Sequence, residues 1–172
     1  MKNLNNKSQE LRNKADDILA RSNLIDILNK YGKVEIVGSY KYGLMTKNDI
    51  DIYVINQNVG REIATKALNE IIQGNYFRGY LFCNWRDTKP PEWLPEGYYI
   101  GLKYGGYGNY TETKWKIDIW FLNKAVPNIK GIDDLSPSQR ETILHLKTER
   151  DAQKLDIMSY QIYKCILLIY IN

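Results

Sequence analysis

The chain has 172 residues, 44% of them hydrophobic and 26% charged, with a formal net charge of +4. That length accommodates one domain with a real core, or a catalytic domain with a short helical appendage. The charge suits an anionic ligand but is too mild to indicate nucleic acid by itself, and two cysteines exclude a disulfide framework or a cysteine metal cluster.

Cys83 and Cys165 read as buried reduced thiols. Met1 to Glu10 is polar and lacks the apolar stretch of a signal peptide. The apolar run Ile166 to Ile171 is far shorter than a membrane span. These features predict a cytoplasmic protein with no membrane partner.

From Ser8 to Lys30, Leu11, Ala15, Ile18 and Leu19, then Leu24, Ile25, Ile27 and Leu28, recur at helical spacing, with a break at Ser22-Asn23. Val34 to Val37 and Ile50 to Ile55 read as buried strands. Arg61 to Ile72 carries Ile63, Ala64, Ala67, Leu68, Ile71 and Ile72 on one side, an amphipathic helix. Tyr76 to Trp85, Tyr98 to Tyr104 and Lys114 to Leu122 read as three further strands. Thr88 to Gly97 holds three of the five prolines and is a loop. Gly105-Gly106-Tyr107-Gly108-Asn109 is a flexible hairpin connection. Ser136-Pro137-Ser138-Gln139 has the form of a helix start, with Ser as cap, Pro at the first position and Gln completing a capping box. That helix should run to Arg150, and a last one should occupy Leu155 to Tyr170. The order predicts an α+β fold, a small mixed sheet backed by helices with C-terminal helices at one end.

The most informative pattern is Val37-Gly38-Ser39, then Tyr40 to Asn48, then Asp49-Ile50-Asp51 opening an apolar strand. A Gly-Ser turn exposes backbone N–H groups and a hydroxyl suited to phosphate. Side chains alternate along a strand, so Asp49 and Asp51 share one face while Ile50, Ile52 and Val54 take the other. In the later strand Asp118 shares a face with Lys116 and Trp120, opposite Ile117, Ile119 and Phe121. Taken singly these are ordinary features: Asp49-x-Asp51 a solvated strand end, Gly38-Ser39 a turn. Asp118 is harder to dismiss, because a carboxylate within an apolar strand needs a partner or a metal. Three converging carboxylates repel one another unless a cation sits between them.

This arrangement resembles the nucleotidyltransferase superfamily typified by DNA polymerase β, whose signature is a hydrophobic-Gly-Ser or Gly-Gly run, an acidic pair in the next strand and a third acid on a later one. The resemblance covers residues 33–122. It implies a nucleotidyltransferase-like fold with residues 1–32 as a helical segment packed on the core, 33–135 as the catalytic core and 136–172 as C-terminal helices. It further implies transfer of a nucleoside monophosphate from a nucleoside triphosphate such as ATP to a hydroxyl acceptor, releasing pyrophosphate. By the same resemblance Asp49, Asp51 and Asp118 are catalytic and hold two Mg²⁺ ions (Mn²⁺ can substitute), and Asp118 helps deprotonate the acceptor. Gly38, Ser39, Lys41 and Lys116 bind the nucleotide.

The acceptor stays open among a small molecule, an RNA end and a protein side chain. The segment after Ser136 is short for the helical domains of template-dependent polymerases, which disfavours polymerisation on a duplex. A second class is a nucleotide-binding or antitoxin-like interaction module on the same fold without turnover. Lys47, Lys103 and Lys114 are further candidates for an anionic ligand, and Trp93, Tyr40 or Tyr42 for stacking on a base. His145 reads as helix packing or surface. Ile162, Ile166 and Ile169 form a stripe that reads as core, with docking of a partner protein or a second copy as the alternative.

Overall fold

The computed structural model describes residues 2–88, 90, 94–105 and 114–169. Trp93 and the Gly106 to Asn109 connection lie outside them.

Helices α1 (Lys2–Ser22) and α2 (Leu24–Asn29) are one amphipathic run interrupted at Asn23, whose φ of 51° is a left-handed conformation that Asn tolerates. Ala15, Ile18 and Leu19 on α1 and Leu24, Ile27 and Leu28 on α2 are buried against the sheet. Helix α1 starts ahead of the expected Ser8, and Leu4 in this added stretch packs on the C-terminal helices.

Five strands follow: β1 (Lys33–Val37), β2 (Asp49–Ile55), β3 (Gly79–Asn84), β4 (Tyr98–Tyr104) and β5 (Trp115–Leu122). Between β1 and β2 lies the short helix α3 (Gly38–Tyr42), and after β2 comes α4 (Arg61–Gln73). The sheet order is β1-β2-β5-β4-β3, with β2 and β5 parallel and every other pair antiparallel. The sheet is therefore mixed and helix-backed, as the element order indicates. Ile50, Ile52, Val54, Ile100, Leu102, Ile117 and Ile119 are wholly buried on the face covered by α1, α2 and α4. Each such side chain contributes roughly 1.5–3 kcal/mol by leaving water. The polar alternates of these strands are thereby held on the opposite face.

β3 is shorter than the aromatic run around it suggests. Asn75 adopts φ 52°, Phe77 is buried, and Tyr76 stacks on Tyr104 at 5.1 Å, so these rings anchor a loop instead of joining the ladder.

A 3-10 turn (Ile132–Asp134) leads to α5 (Pro137–Ala152) and α6 (Ser159–Ile169). The capping box forms as expected: the Gln139 N–H donates to Ser136 Oγ (3.3 Å) and the Ser136 N–H to Gln139 Oε1 (2.8 Å). The expected start of α6 at Leu155 is corrected to Ser159. Lys154 is left-handed, and Arg150 Nη1 donates to the Ile157 carbonyl (3.1 Å) and Ser159 Oγ (3.0 Å), fixing 154–158 as a loop. Helix α6 buries Ile162, Tyr163, Ile166 and Leu167 in a second core with Tyr42, Leu44, Ile143 and Leu144. Ile169 departs from the expected stripe: it is 62% exposed, on the outward side with Leu168. The expectation for the thiols is likewise corrected, since Cys165 is exposed and Cys83 only half-buried. His145 is exposed on α5. Among the described residues, no helix is long and apolar enough to cross a membrane.

Candidate active site

Parallel pairing of β2 with β5 sets Asp51 beside Asp118 and Asp49 beside Lys116. One carboxylate oxygen from each of Asp49, Asp51 and Asp118 lies within 4.8 Å of the others. Gly38 makes this packing possible, because a Cβ there would stand 2.1 Å from Asp51 Oδ2, and its φ of +67° is one that side chains rarely adopt.

The electrostatics of the cluster are unbalanced. Burial, and then the charges of Asp49 and Asp118, push the Asp51 carboxyl up to about 7. Asp49 is raised for the same kinds of reason, burial first and then Asp118. Asp49 Oδ1 is buried without a hydrogen-bond partner among the described residues, which is costly for a polar atom shut away from water. Asp118, 9% exposed, is by contrast fully engaged: Tyr99 Oη donates to its Oδ1 (2.6 Å) and Lys116 Nζ to its Oδ2 (2.5 Å). Burial opposes the charge of Lys116, but the bond to Asp118 and the attraction of all three acids hold its ammonium above the ordinary lysine range.

Tyr99 reaches Asp118 across Gly101, the register partner of Asp118 on β4. A Cβ on Gly101 would come within 2.6 Å of the Tyr99 hydroxyl. Burial and the bond to Asp118 raise the Tyr99 phenol, so it stays protonated and donates.

On the other side of the acids lies a cavity of about 550 Å³ lined by Ser39, Asp49 and the cations Lys47, Lys147, Arg150 and Lys154, with Asp151 and Asp156 among them; Asp151 pairs with Arg150 (2.7 Å). A smaller one of about 280 Å³ joins Gly38, Ser39, Asp49 and Asp51 to Tyr42, Tyr53, Tyr160 and Tyr163. Ser39 and Asp49 border both. Lys147 is 2% exposed, donating to the Leu44 carbonyl (2.6 Å) and lying 3.2 Å from Tyr163 Oη. Burial and the neighbouring Arg150 lower its ammonium to about 8, against the pull of Asp151, Asp51 and Asp49.

The segment from Gly43 to Lys47 carries the chain from Ser39 to Asp49 and is gripped from two helices. From α1, Ser8 Oγ donates to the Gly43 carbonyl and accepts from the Met45 N–H, both at 2.9 Å. From α5, Arg140 Nη1 donates to the Tyr42 carbonyl (2.6 Å), and Asp151 takes the Thr46 hydroxyl (3.1 Å) and pairs with Lys47 (2.8 Å).

Of the residues singled out in the sequence, the structure brings together Gly38, Ser39, Asp49, Asp51, Asp118 and Lys116. Lys41 instead lies with its ammonium 5.2 Å from the Tyr42 ring centroid. Tyr40 donates to Asp16 on α1. Tyr42 packs in the second core with its hydroxyl on Asn128 and also lines the smaller cavity, as Lys47 lines the larger. Lys147, Arg150 and Tyr99 are additions from the structure. A signal for Lys147 exists: with Ile143 and Leu144 it occupies the buried phase of an amphipathic helix, where a lysine is out of place.

A cytoplasmic RNA terminal U-transferase is matched over 93% of this chain and 50% of its own, with a TM-score of 0.59 and 18% identity. Cid1, an RNA terminal uridylyl transferase, is matched over the same shares with a TM-score of 0.62 and 19% identity. A Cid1 poly(U) polymerase structure with Mg and 3′-dATP bound is matched over 86% of this chain and 46% of its own, with a TM-score of 0.56 and 19% identity. The chain carries the nucleotidyltransferase fold. It spans about half the length of these solved structures. No protein-family model matches the chain, and no curated protein does.

Proposed function

We propose that the chain is a metal-dependent nucleotidyltransferase that moves a nucleoside monophosphate from a nucleoside triphosphate to a hydroxyl acceptor and releases pyrophosphate. The observation that carries this reading is the convergence of Asp49, Asp51 and Asp118 within 4.8 Å, bordered by a cavity whose lining holds four cations, Lys47, Lys147, Arg150 and Lys154, beside Asp151 and Asp156. The resemblance in sequence and the shared fold support it.

Three carboxylates with an orphaned oxygen on Asp49 and a raised Asp51 suit a hard divalent cation, which takes oxygen ligands. Asp49, Asp51 and Asp118 would hold Mg²⁺, which would supply charge neutralisation at the phosphate undergoing attack. The protein's own groups do the rest. Lys47, Lys147, Arg150 and Lys154 line the larger cavity and receive the triphosphate tail, with the Ser39 hydroxyl as a further donor. The tyrosine-lined cavity takes the nucleoside. Asp118 accepts the proton of the acceptor hydroxyl as it attacks phosphorus, while Tyr99 and Lys116 fix its orientation.

The test is incubation with each labelled nucleoside triphosphate, Mg²⁺ and cell extract, followed by separation of protein, RNA and small-molecule fractions. Mg²⁺-dependent incorporation that is lost in Asp49→Ala/Asp51→Ala supports the proposal. Triphosphate binding without pyrophosphate release in any fraction would leave a binding module.

A further inference from the structure

The acids divide the sheet surface into two unlike sides. The cationic cavity borders Ser39 and Asp49, towards β2 and α5. An in-line displacement requires the attacking hydroxyl to enter opposite the leaving pyrophosphate. The sheet order places β5, β4 and β3 on that opposite side.

Register sorts the residues of this side into three rows. The central row runs Asp51, Asp118, Gly101, Leu81. On one flank runs Asp49, Lys116, Lys103, Gly79, and on the other Tyr53, Trp120, Tyr99, Cys83. Over β5, β4 and β3 these rows hold no carboxylate except Asp118. Leu81 is 55% exposed and the Lys116 side chain 57%, and Lys103 is also exposed. Lys103 and Lys116 stand directly opposite each other. Like charges so placed destabilise a strand pair, and an anion lying across both relieves the cost. Lys116 is partly neutralised by Asp118, whereas Lys103 has no ion-pair partner among the described residues. On the opposite flank Tyr99 lies against Trp120 with ring centroids 5.1 Å apart.

We propose that this open face of β5, β4 and β3 beyond Asp118 is the acceptor track, and that it takes the 3′ end of a single-stranded polynucleotide. The proposal rests on the transferase reading of Asp49, Asp51 and Asp118. Lys103 and Lys116 meet backbone phosphate, Leu81 and Tyr99 offer surfaces to unstacked bases, and the 3′ hydroxyl lies at Asp118. Open sheet faces combining cations with ring surfaces bind single strands in this way. A small-molecule acceptor would instead need an enclosing pocket. From Asp118 to Leu81 the face extends about 10 Å, two strand spacings, and among the described residues Leu81 and Lys103 stand exposed on it.

The test uses the whole chain and a short fluorescent single-stranded oligonucleotide, with affinity read by anisotropy over a salt series. Triphosphate binding with Mg²⁺ is read separately by thermal shift. Lys103→Glu should weaken oligonucleotide binding by tenfold or more, and Lys103→Gln should lower the salt slope by about 0.7, one phosphate contact on a single strand. Leu81→Asp should weaken it as well. All three should keep the wild-type response to Mg²⁺ and triphosphate. Oligonucleotide affinity unchanged in all three folded variants, or absent in the wild type, overturns the track and leaves a protein or small-molecule acceptor. If the wild type binds the oligonucleotide through these residues but shows no response to triphosphate, the transferase reading fails and the track stands.

Discussion

The two walls around the candidate site carry opposite charge and are built in different ways. The acidic wall belongs to β2 and β5, where alternation and parallel register aim Asp49, Asp51 and Asp118 at one point. The cationic wall is contributed chiefly by α5, which delivers Lys147 and Arg150 from the far end of the chain. A strand pattern fixes side-chain direction locally, whereas a helix delivers a charge only after docking. The acidic wall should therefore govern chemistry and metal, and the cationic wall triphosphate affinity.

The largest effect is expected on the acidic wall. Asp49→Ala/Asp51→Ala should remove transfer by orders of magnitude and abolish stabilisation by Mg²⁺ plus triphosphate in a thermal-shift assay. Metal-free protein should respond to pH in the opposite sense from one stabilised by ion pairs. Asp51 is raised in the folded state, so between about pH 4 and 7 the folded protein holds more protons than the unfolded. Its contribution to stability is fully present below that window and lost as pH rises through about 7. Asp51→Asn should thus match the metal-free wild type at pH 4 and melt higher at pH 8. A melting temperature that rises with pH in the metal-free wild type but not in Asp51→Asn would contradict the repulsive cluster.

On the cationic wall, Lys147→Ala should weaken triphosphate binding by roughly 1.5–3 kcal/mol, the scale of a charged hydrogen bond. It also removes the donor that serves the Leu44 carbonyl, so some loss of stability accompanies it. Because Lys147 titrates at about 8, triphosphate affinity should fall as pH rises through that value in the wild type, with a shallower fall in Lys147→Ala. Calorimetry at pH 7 and pH 9 reads both effects.

Where the walls meet, Gly38→Ala should cost about 1–2 kcal/mol from the left-handed backbone alone. It should also displace Asp51, whose Oδ2 occupies the space a Cβ would need. A variant with wild-type stability and Mg²⁺ response would show that the contact can give way.

The contrast between the walls also explains what could be read from the sequence. Asp49 and Asp51 announce their shared face by alternating with Ile50, Ile52 and Val54, and Asp118 does so within Ile117 to Phe121. The capping box at Ser136 was equally local. Tyr99 was not legible, because its bond to Asp118 depends on the β4–β5 register and on the space over Gly101. Leu155 to Met158 misled in the other direction: its apolar residues continue a helical pattern, yet Arg150 ties the segment into a loop. Lys41 shows the limit of proximity in sequence, since two residues beyond Ser39 it projects towards the Tyr42 ring.

The smallest effect belongs to the support of Asp118. Tyr99→Phe removes one donor from a buried carboxylate that keeps its bond from Lys116. A hydrogen bond to a charged group is worth roughly 1.5–3 kcal/mol, of which only the part that changes in the transition state reaches kcat. The substitution should lower kcat about tenfold or less while leaving the KM for triphosphate unchanged. Equal losses in kcat and triphosphate affinity would place Tyr99 in nucleotide binding instead.

The most direct test compares wild type with Asp118→Asn, measuring pyrophosphate release and triphosphate affinity in the same preparations with Mg²⁺ and an acceptor pool. Asp118→Asn keeps the shape of the side chain and removes its charge and basicity. The wild type should release pyrophosphate, and Asp118→Asn should bind triphosphate with near-wild-type affinity while transfer falls by orders of magnitude. Near-wild-type release from a folded Asp118→Asn protein would contradict the assignment of the three acids as one catalytic centre.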